Sequence, residues 1–476
     1  MAGTRRVGVA VLGLVLGASL LTGCAATTSG AGRALTAMPG APGIGDPYFP
    51  LDGNGGYDVT DYALDVAYLP ATDELTGTAE LAVRATQDLS AFNLDLVGLE
   101  VRSVAVDGAP ATWTRDGGEL TVTPAAPLAD AAAFTTVITY AGVPATLDDP
   151  LGVAGFFHTD DGALVVGQPD VAATWFPVND HPLDPATYTV RITAPEALEA
   201  ISNGVLTSTT SAGGMTTSTW RADEPMAPYL VGMAIGEFDV RAYGQGGIRY
   251  WDALDPALGE TGAVASASLA RQPEVIAFLE GMFGPYPFAA AGGIVDDVGE
   301  LAFALENQTR PIYAPSFFSD AVSGDVVVVH ELAHQWFGNS LPLARWRDIW
   351  LNEGFATYAE WLWNEGEGRG SVDEQFDRIA SIPADAAFWT LRIGDPGPDR
   401  LFDPAVYLRG AMTVHALRTA VGDDAFFRIL TEWTGRNAGR NVTTGGFVAL
   451  AEEVSGQDLT ELFDTWLTTP QKPDLP

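Results

Sequence analysis

Residues 326–338, which read VVVVHELAHQWFG, decide how the rest of the chain is interpreted. Within this stretch His330 and His334 stand four positions apart, and Glu331 follows the first histidine. Residues at that spacing lie on one face of a helix, so both imidazoles can reach one metal ion. The carboxylate of Glu331 lies one step round the helix, where it can accept a proton from a water molecule on the metal. The pattern therefore predicts a metal-dependent hydrolase.

The apolar residues around the two histidines predict a helix over residues 326–337. Asp325 is the expected N-terminal cap, because its side chain can accept hydrogen bonds from the free N–H groups of the first turn. Gly338 is the expected end of the helix, because glycine readily adopts the conformation that stops one. The alternative is an amphipathic helix with surface histidines, which the apolar residues on both sides disfavour.

A two-histidine zinc site needs a third protein ligand and leaves the fourth position to water. Glu353, in the segment WLNEGF, stands 19 positions after His334 and between apolar neighbours. A carboxylate is costly to bury without a partner, so Glu353 is the predicted third ligand. Antiparallel packing of two helices would bring it to the histidines. The ligand types favour zinc, although on their own they leave other divalent metals open.

The remainder of the chain divides by pattern. In residues 47–242 short period-two runs, such as Tyr62, Leu64, Val66 and Tyr68, alternate between turn-forming clusters. They predict an antiparallel all-β domain with one solvated face. From residue 243 to 476 the periodicity is mainly helical and predicts a mostly α domain. The candidate helices are residues 264–283, with a break at Pro273, then 326–337, 355–364, 411–420 and 447–454.

Composition excludes several classes of protein. The chain has 476 residues, 47% of them hydrophobic, which is too apolar for a disordered acidic chain. It has 61 Asp and Glu against 24 Lys and Arg, giving a net charge of −37. A surface of that charge repels nucleic acid, so no nucleic-acid partner is expected. The single cysteine excludes an internal disulfide and any multi-cysteine metal site.

That cysteine is explained by the N-terminus. Arg5 and Arg6 precede an apolar run over residues 7–21, and Leu-Thr-Gly then leads to Cys24. This arrangement resembles a bacterial lipoprotein signal peptide, residues 1–24, cleaved before a cysteine that is then acylated. Residues 25–46 are rich in Ala, Gly, Thr and Pro and predict a flexible tether. The expected location is outside the cytoplasmic membrane, anchored by lipid alone.

Further motifs give the chain a family resemblance. HExxH with a glutamate 19 positions later, inside NEGFA, resembles the aminopeptidase N family of gluzincin zinc metallopeptidases. Other family-like segments follow in the expected order. They are PYLVG at 228–232, GEF at 236–238, FGPYPF at 283–288, FALEN at 303–307, YLRG at 407–410 and the end of the catalytic domain at 466–470.

The resemblance implies a saddle-like β-domain followed by a thermolysin-like catalytic domain that holds one Zn²⁺ per chain on His330, His334 and Glu353. It implies hydrolysis of the N-terminal residue of a peptide with a free N-terminus. Glu331 would activate the zinc-bound water, and Tyr407 would donate a hydrogen bond to the oxyanion. The substrate-binding residues implied by the family are Glu306 for the α-amine, Gln168 from the β-domain, Ala304 through its backbone, and Asn307.

The chain also departs from the family. Phe303 stands in place of glycine and Leu305 in place of methionine in the exopeptidase motif, and Arg409 replaces a lysine. Many members carry a further helical C-terminal domain, and without it a more open cleft is expected. Two alternatives therefore stay open: a thermolysin-like endopeptidase with an open cleft, and a non-catalytic peptide-binding lipoprotein.

Overall fold

The structure, a computed structural model, describes residues 36–474, and strands make up the first half of this range. These strands are β1 (Met38–Pro39), β2 (Tyr57–Leu69), β3 (Glu74–Ala85), β4 (Leu89–Asp95), β5 (Glu100–Val106), β6 (Ala109–Pro110), β7 (Thr112–Asp116), β8 (Glu119–Thr123), β9 (Ala133–Gly142), β10 (Thr146–Asp149), β11 (Gly152–His158), β12 (Ala163–Val166), β13 (Ala186–Pro195), β14 (Glu199–Ser202), β15 (Val205–Ala212), β16 (Met215–Met226) and β17 (Met233–Gly236).

The largest sheet has the strand order β15-β16-β13-β2-β3-β9-β5-β6. The alternating apolar residues of β2, among them Tyr62 and Leu64, are fully buried, while the residues between them are more exposed. Tyr62 stacks on Tyr188 of β13 with ring centroids 4.9 Å apart. The predicted antiparallel β-domain is confirmed, except that β2 and β13 pair in parallel. Two smaller sheets, β1-β4-β8-β7 and β10-β11-β12-β17-β14, complete this part.

The flexible tether predicted for residues 25–46 is wrong over its second half. β1 pairs in parallel with β4, and the N–H of Gly40 donates to the carbonyl of Ala91 at 2.8 Å. Asp46 is buried and accepts a hydrogen bond from the N–H of Trp346 at 2.9 Å. These contacts hold the segment against the folded chain despite a composition typical of linkers. Cys24 and the predicted signal peptide lie outside the described residues.

The second half combines a mixed sheet with helices. Its strands are β18 (Asp239–Gln245), β19 (Ile248–Leu254), β20 (Ala290–Val295), β21 (Ala304–Leu305) and β22 (Ile312–Tyr313), in the order β18-β19-β20-β22-β21. The helices described are α1 (Gly259–Leu269), α2 (Gln272–Phe283), α3 (Ala321–Ala333), α4 (Trp350–Gly366), α5 (Val372–Ala380), α6 (Pro404–Val421), α7 (Asp423–Asn437), α8 (Thr444–Ser455) and α9 (Thr460–Phe463). β19, β20 and β22 run parallel, and β21 is an antiparallel edge strand.

Each predicted helix corresponds to a helix of the structure, although the boundaries differ; α4 and α6, for example, begin five and seven residues earlier than predicted. Residues 264–283 fall in two helices, α1 and α2, and Pro273 lies in the first turn of α2, where its missing N–H costs no hydrogen bond. The helix predicted for 326–337 begins at Ala321 and ends at Ala333 instead, so the end predicted at Gly338 is wrong. Asp320 caps it, with Oδ1 accepting from the N–H groups of Val322 and Ser323.

The cap predicted at Asp325 is therefore wrong. Asp325 lies inside α3 and is buried, and its carboxylate pairs with Arg271 and Arg369. These arginines come from positions distant in the sequence, so the local pattern around Asp325 could not reveal them. The preceding aspartate, Asp320, has the extended backbone of a cap residue.

The strand-rich and helical parts pack against each other within one compact unit that begins at Ala37. The side chain of Asn441 donates to the carbonyl of Pro182 at 2.8 Å, and Arg310 donates to the carbonyl of Gly204 at 2.9 Å. The domain boundary at residues 242/243 stays a prediction; that position lies inside β18, which pairs with β19. No helix within residues 36–474 has the length and apolar character needed to cross a bilayer.

Candidate active site and metal centre

Three helices converge on one point, and a contact between two glycines sets how closely two of them approach. Gly354 of α4 and Gly410 of α6 face each other, and a Cβ added to Gly354 would lie 2.9 Å from the Cα of Gly410. Only hydrogen fits in that space, so the helix backbones touch. The contact brings Glu353 of α4 and Tyr407 of α6 to the same cavity, beside His330 of α3.

The predicted metal ligands lie together. The Nε2 atoms of His330 and His334 are 3.3 and 3.4 Å from Oε2 of Glu353. Ligands about 2.0–2.2 Å from a tetrahedral zinc ion are separated by about 3.3–3.6 Å, so these atoms fit zinc. Glu353 is 2% exposed, and its Oε2 has no hydrogen-bond donor in the described part of the chain. A buried carboxylate oxygen without a donor is the expected state of a ligand shown without its metal.

Both histidines are oriented by their second ring nitrogen. Nδ1 of His330 hydrogen bonds to Oε1 of Glu360 at 2.6 Å, and Nδ1 of His334 to the carbonyl of Phe337 at 3.0 Å. Each Nε2 is thereby directed at Glu353, as in metal sites whose histidines donate to an outer partner. His330 contacts both Glu353 and Glu360, which lies two turns further along α4. His334, one turn after His330 in the sequence, contacts Glu353. The two helices therefore run antiparallel here, as predicted.

Glu360 was missed in the sequence reading. It stands seven positions after Glu353 in α4, a spacing that places both carboxylates on one face of the helix. That spacing was the available signal, but acidic residues on a helix are more often solvated. Only the contact with Nδ1 of His330 in the structure indicates that Glu360 orients this histidine.

Burial and charge act on the carboxylates in opposite directions. Burial raises the pKa of Glu353, but the two histidines outweigh it and hold the pKa at about 2. Burial also raises the pKa of Glu331, to about 8, with Glu306 and Glu353 adding to the rise and the histidines opposing it. These values hold for the site without its cation.

Glu306 is held in place from both sides. The Tyr229 hydroxyl donates to its Oε1 at 3.0 Å, and Asn339 and Gln335 donate to its backbone carbonyl at 2.7 and 3.2 Å. Burial raises the pKa of Glu306. One ligand atom each from Glu306, Glu331 and His334 lie within 4.8 Å of one another. Tyr229 comes from the strand-rich part, and no short-range pattern predicted its contact with Glu306.

The other predicted substrate residues separate into two groups. Ala304, on the edge strand β21, and Gln168, just after β12, both line the cavity. The Oε1 atom of Gln168 is buried and has no hydrogen-bond donor among the described residues. Asn307 is not in the cavity lining; its side-chain amide donates to the carbonyl of Leu230 at 3.1 Å. Asn307 thus anchors the segment that carries Glu306, and its contact with substrate stays a prediction.

Tyr407 and Arg409 have different functions. The Tyr407 ring lies 6.0 Å from that of His330 and lines the cavity. The fully buried guanidinium of Arg409 donates to four backbone carbonyls, those of Trp389, Leu391, Thr465 and Thr469, at 2.7–3.1 Å. Burial lowers the pKa of Arg409 to about 10. Arg409 therefore fixes α6, and Tyr407 with it, against neighbouring segments.

The cavity at this centre has a volume of about 500 Å³. A smaller cavity of about 120 Å³ adjoins it and shares Gln168, Phe303, Ala304 and Tyr407 with it. Phe303, the departure from the family motif, thus forms part of the wall between a metal site and a side pocket. The adjoining pocket is also lined by Phe402, which makes it partly apolar.

The remaining histidines lie elsewhere. His158 hydrogen bonds to the Tyr68 hydroxyl and the Pro144 carbonyl, His181 to Asp46, and His415 lies 3.3 Å from the Tyr358 hydroxyl. None of them joins a group of three possible metal ligands within residues 36–474.

A metal centre of two histidines from HExxH and a glutamate from the next helix, behind a β-domain, defines a gluzincin-type metallopeptidase architecture. The model of the Peptidase M1 N-terminal domain matches residues 58–230, and that of the Peptidase family M1 domain matches residues 316–466. The chain belongs to this family, the aminopeptidase N family of gluzincin zinc metallopeptidases, as the motifs predicted.

Solved structures and curated proteins agree with this assignment. An M1 zinc metallopeptidase variant from Deinococcus radiodurans is similar with a TM-score of 0.82 and 31% identity, covering 91% of this chain and 99% of that one. The same protein bound to a Tyr-Ser-Ala substrate gives a TM-score of 0.79. Glutamyl aminopeptidase from Bitis rhinoceros is 29% identical over 344 residues, which are 66% of this chain. The chain spans about a third of the length of such curated relatives; for this one the share is 36%.

Proposed function

We propose that the protein is a zinc aminopeptidase that removes the N-terminal residue from peptides. Support comes from the family, from the named aminopeptidases among its relatives, and from a Tyr-Ser-Ala substrate bound to the Deinococcus protein. The metal ligands are His330, His334 and Glu353. Their donor set of two imidazoles and one carboxylate is that of catalytic zinc.

The observation that carries the proposal is the position of Glu306. Its carboxylate lies within 4.8 Å of ligand atoms of Glu331 and His334. Standard bond lengths place the α-nitrogen of a peptide about 2.5 Å from the first carbonyl carbon. An ammonium held by Glu306 therefore presents the first peptide bond, and no later one, to Glu331. A buried carboxylate left without its ammonium also disfavours chains whose N-terminus is blocked.

In this proposal each residue of the site has a separate role in peptide hydrolysis. When bound, zinc supplies a Lewis acid that polarises the scissile carbonyl and makes a water molecule more acidic. Glu331 accepts the proton of the attacking water as the C–O bond forms, and then passes it to the leaving amine as the C–N bond breaks. The Tyr407 hydroxyl donates a hydrogen bond to the developing oxyanion. Ala304, on the edge strand, presents its backbone to the peptide.

The test compares substrates that differ only at the N-terminus. Rates are measured on an aminoacyl fluorogenic amide, on its N-acetylated form, and on an internally quenched peptide with a blocked N-terminus. We expect hydrolysis of the free-amine substrate alone. Glu306→Gln should lower kcat/KM on that substrate about 10²-fold, because a charge-assisted hydrogen bond to the ammonium is lost. Glu196→Gln, an exposed glutamate in the turn after β13, is the matched control and should leave the rate unchanged.

Two results would redirect the proposal. Equal cleavage of the blocked, internally quenched peptide would identify an endopeptidase. Stoichiometric zinc without hydrolysis of any of these substrates would identify a peptide-binding protein built on this fold.

We also propose that the protein acts outside the cytoplasmic membrane, anchored through an acylated Cys24. The support is the sequence of residues 1–24, with its basic start, apolar run and small residues before the cysteine. Metabolic labelling with a clickable fatty acid in a bacterial host should mark the wild-type protein and leave Cys24→Ser unlabelled. Equal labelling of both would contradict the anchor.

A further inference from the structure

A second cavity, of about 660 Å³, lies apart from the catalytic one and shares no lining residue with it. One wall comes from the turn between β11 and β12, at residues 159–161, and from Glu237 after β17. The opposite wall comes from the segments that follow β19 and β20. We call this space the acidic cavity.

Sheet topology brings two carboxylates together at its base. β19 and β20 are parallel neighbours in which Leu254 pairs with Val295, the last residue of each strand. The N–H of Asp255 donates to the carbonyl of Val295 at 2.9 Å. Asp255 and Asp296 are thus the first residues beyond the carboxyl ends of adjacent strands, and both line the cavity.

The lining carries strong negative charge with no basic residue to offset it. The acidic side chains are Asp160, Asp161, Glu237, Asp255, Asp296, Asp297 and Glu300. The lining contains no arginine or lysine, and none of these acids belongs to an ion pair found within residues 36–474. His158, also in the lining, is already hydrogen bonded to Tyr68 and to the Pro144 carbonyl.

Asp296 is the buried member of this group. It is 3% exposed, and its Oδ2 has no hydrogen-bond donor among the described residues. Burial, together with the negative charges of Asp255 and Asp161, raises the pKa of Asp296 to about 7. A buried carboxylate that faces another carboxylate without a donor needs either a proton or a cation beside it.

We propose that the acidic cavity binds a calcium ion, with Asp255 and Asp296 as direct ligands and water molecules between the ion and Asp161. Its charged ligands are all carboxylates, which suit hard cations, and neither imidazole nor thiolate is free to select zinc. Calcium accepts six to eight oxygen ligands in a flexible arrangement, which a wide cavity with room for water permits. Magnesium demands a tighter octahedron and binds such a site less well.

The separation of the carboxylates sets the expected affinity. In the described chain, no three carboxylates of this cavity have oxygens within 4.8 Å of one another, so at most two of them can bind one ion directly and the proposal assigns the remaining positions to water. Sites of that kind bind calcium with Kd values of about 10⁻⁴–10⁻³ M. The ion would hold the start of the segment that runs from Asp296 to β21, the edge strand beside Glu306.

The test is titration of calcium chloride into the zinc-loaded full chain in metal-free buffer, followed by calorimetry. Wild type should bind one calcium ion with a Kd in the range above, and more tightly than magnesium. Asp255→Asn and Asp296→Asn should each weaken calcium binding at least 10-fold. Asp116→Asn, an exposed aspartate outside the cavity, is the matched control and should bind calcium as wild type does.

Thermal unfolding supplies an independent readout and shows that each variant is folded. Calcium at 10 mM should raise the Tm of wild type and of Asp116→Asn by about 1–3 °C, because it binds the folded state alone. The two cavity variants should show a clearly smaller shift, because their calcium binding is at least 10-fold weaker. Absence of calcium binding to wild type up to 10 mM, undiminished binding by both cavity variants, or binding of putrescine in place of calcium would each overturn the proposal.

Discussion

Two cavities of this molecule are lined by buried carboxylates, and the charges around these carboxylates differ between the two cavities. In the catalytic cavity Glu353 faces His330 and His334, and Glu306 accepts a hydrogen bond from Tyr229. In the acidic cavity Asp296 faces Asp255 and Asp161, and the lining contains no arginine or lysine. The first holds the pKa of Glu353 at about 2, whereas the second raises that of Asp296 to about 7.

The difference shows that burial alone does not determine the state of a carboxylate. Burial raises the pKa of both groups, and the neighbouring charges then decide the direction of the net shift. A carboxylate surrounded by potential cations is ready to bind metal as an anion. A carboxylate surrounded by other carboxylates instead binds a proton or an external cation. Mutations in the two cavities should therefore have opposite consequences for the protein without added ligand.

The largest effect is expected for Glu353→Gln. Replacing the anionic ligand by a neutral amide should lower zinc affinity more than 10³-fold and abolish hydrolysis at ordinary zinc concentrations. Zinc content after dialysis, measured by atomic emission, checks the loss, and Glu196→Gln serves as the control. Full zinc retention by Glu353→Gln would show that the carboxylate is not a ligand and would remove the contrast between the cavities.

Glu331→Gln should affect chemistry and leave metal binding intact. The amide cannot accept a proton, so kcat should fall by about 10²–10⁴-fold while the zinc content stays at one per chain. Steady-state rates on a free-amine substrate, together with zinc analysis, separate the two properties. A loss of zinc equal to that of Glu353→Gln would place Glu331 on the metal instead.

Short-range patterns predicted the three possible metal ligands, His330, His334 and Glu353, because they lie close in sequence. The i, i+4 histidines and Glu353 belong to consecutive helices, and the helical periodicity of residues 411–420 located most of α6. Ala304, which the motif order predicted to contact the substrate, lines the same cavity, and that contact stays a prediction. What the pattern could not give was the cap at Asp320, because two aspartates were available and the arginines that bind Asp325 lie far away.

Contacts between distant segments explain the other omissions. Tyr229 reaches Glu306 across 77 positions, and Asp255 meets Asp296 only because β19 and β20 pair in parallel. The sequence did not predict that the segment containing β1 and Asp46 packs against the folded chain, because its composition is typical of linkers. The hydrogen bond from Trp346 to the buried Asp46 joins positions that are far apart in the sequence. Pairing between strands and the burial of single polar groups are properties of the folded chain.

Tyr407→Phe should produce a somewhat smaller effect than the loss of the base. Removing the hydroxyl should lower kcat about 10²–10³-fold with little change in KM, because the hydrogen bond forms only as the oxyanion develops. The ring remains to pack beside His330, so zinc content should not change. A rise in KM with kcat preserved would assign Tyr407 to ground-state substrate binding.

Glu360→Gln tests whether the catalytic cavity depends on carboxylates outside the ligand set. The amide can still accept a hydrogen bond from Nδ1 of His330, but without a full negative charge. Zinc affinity should fall about 10–100-fold, as expected when an outer partner of a histidine ligand is weakened. Competition with a fluorescent zinc chelator measures the affinity. An unchanged affinity would restrict Glu360 to a packing function.

The smallest effect, and one of opposite sign, is expected for Asp296→Asn in calcium-free buffer at pH 8. The substitution keeps the size of the side chain, removes a buried charge and relieves its repulsion from Asp255 and Asp161. The free energy of unfolding should therefore increase by about 1 kcal/mol. Urea denaturation of wild type, Asp296→Asn and Asp116→Asn checks this difference. Destabilisation by Asp296→Asn would mean that Asp296 already has a favourable partner, and the two cavities would then treat their carboxylates alike.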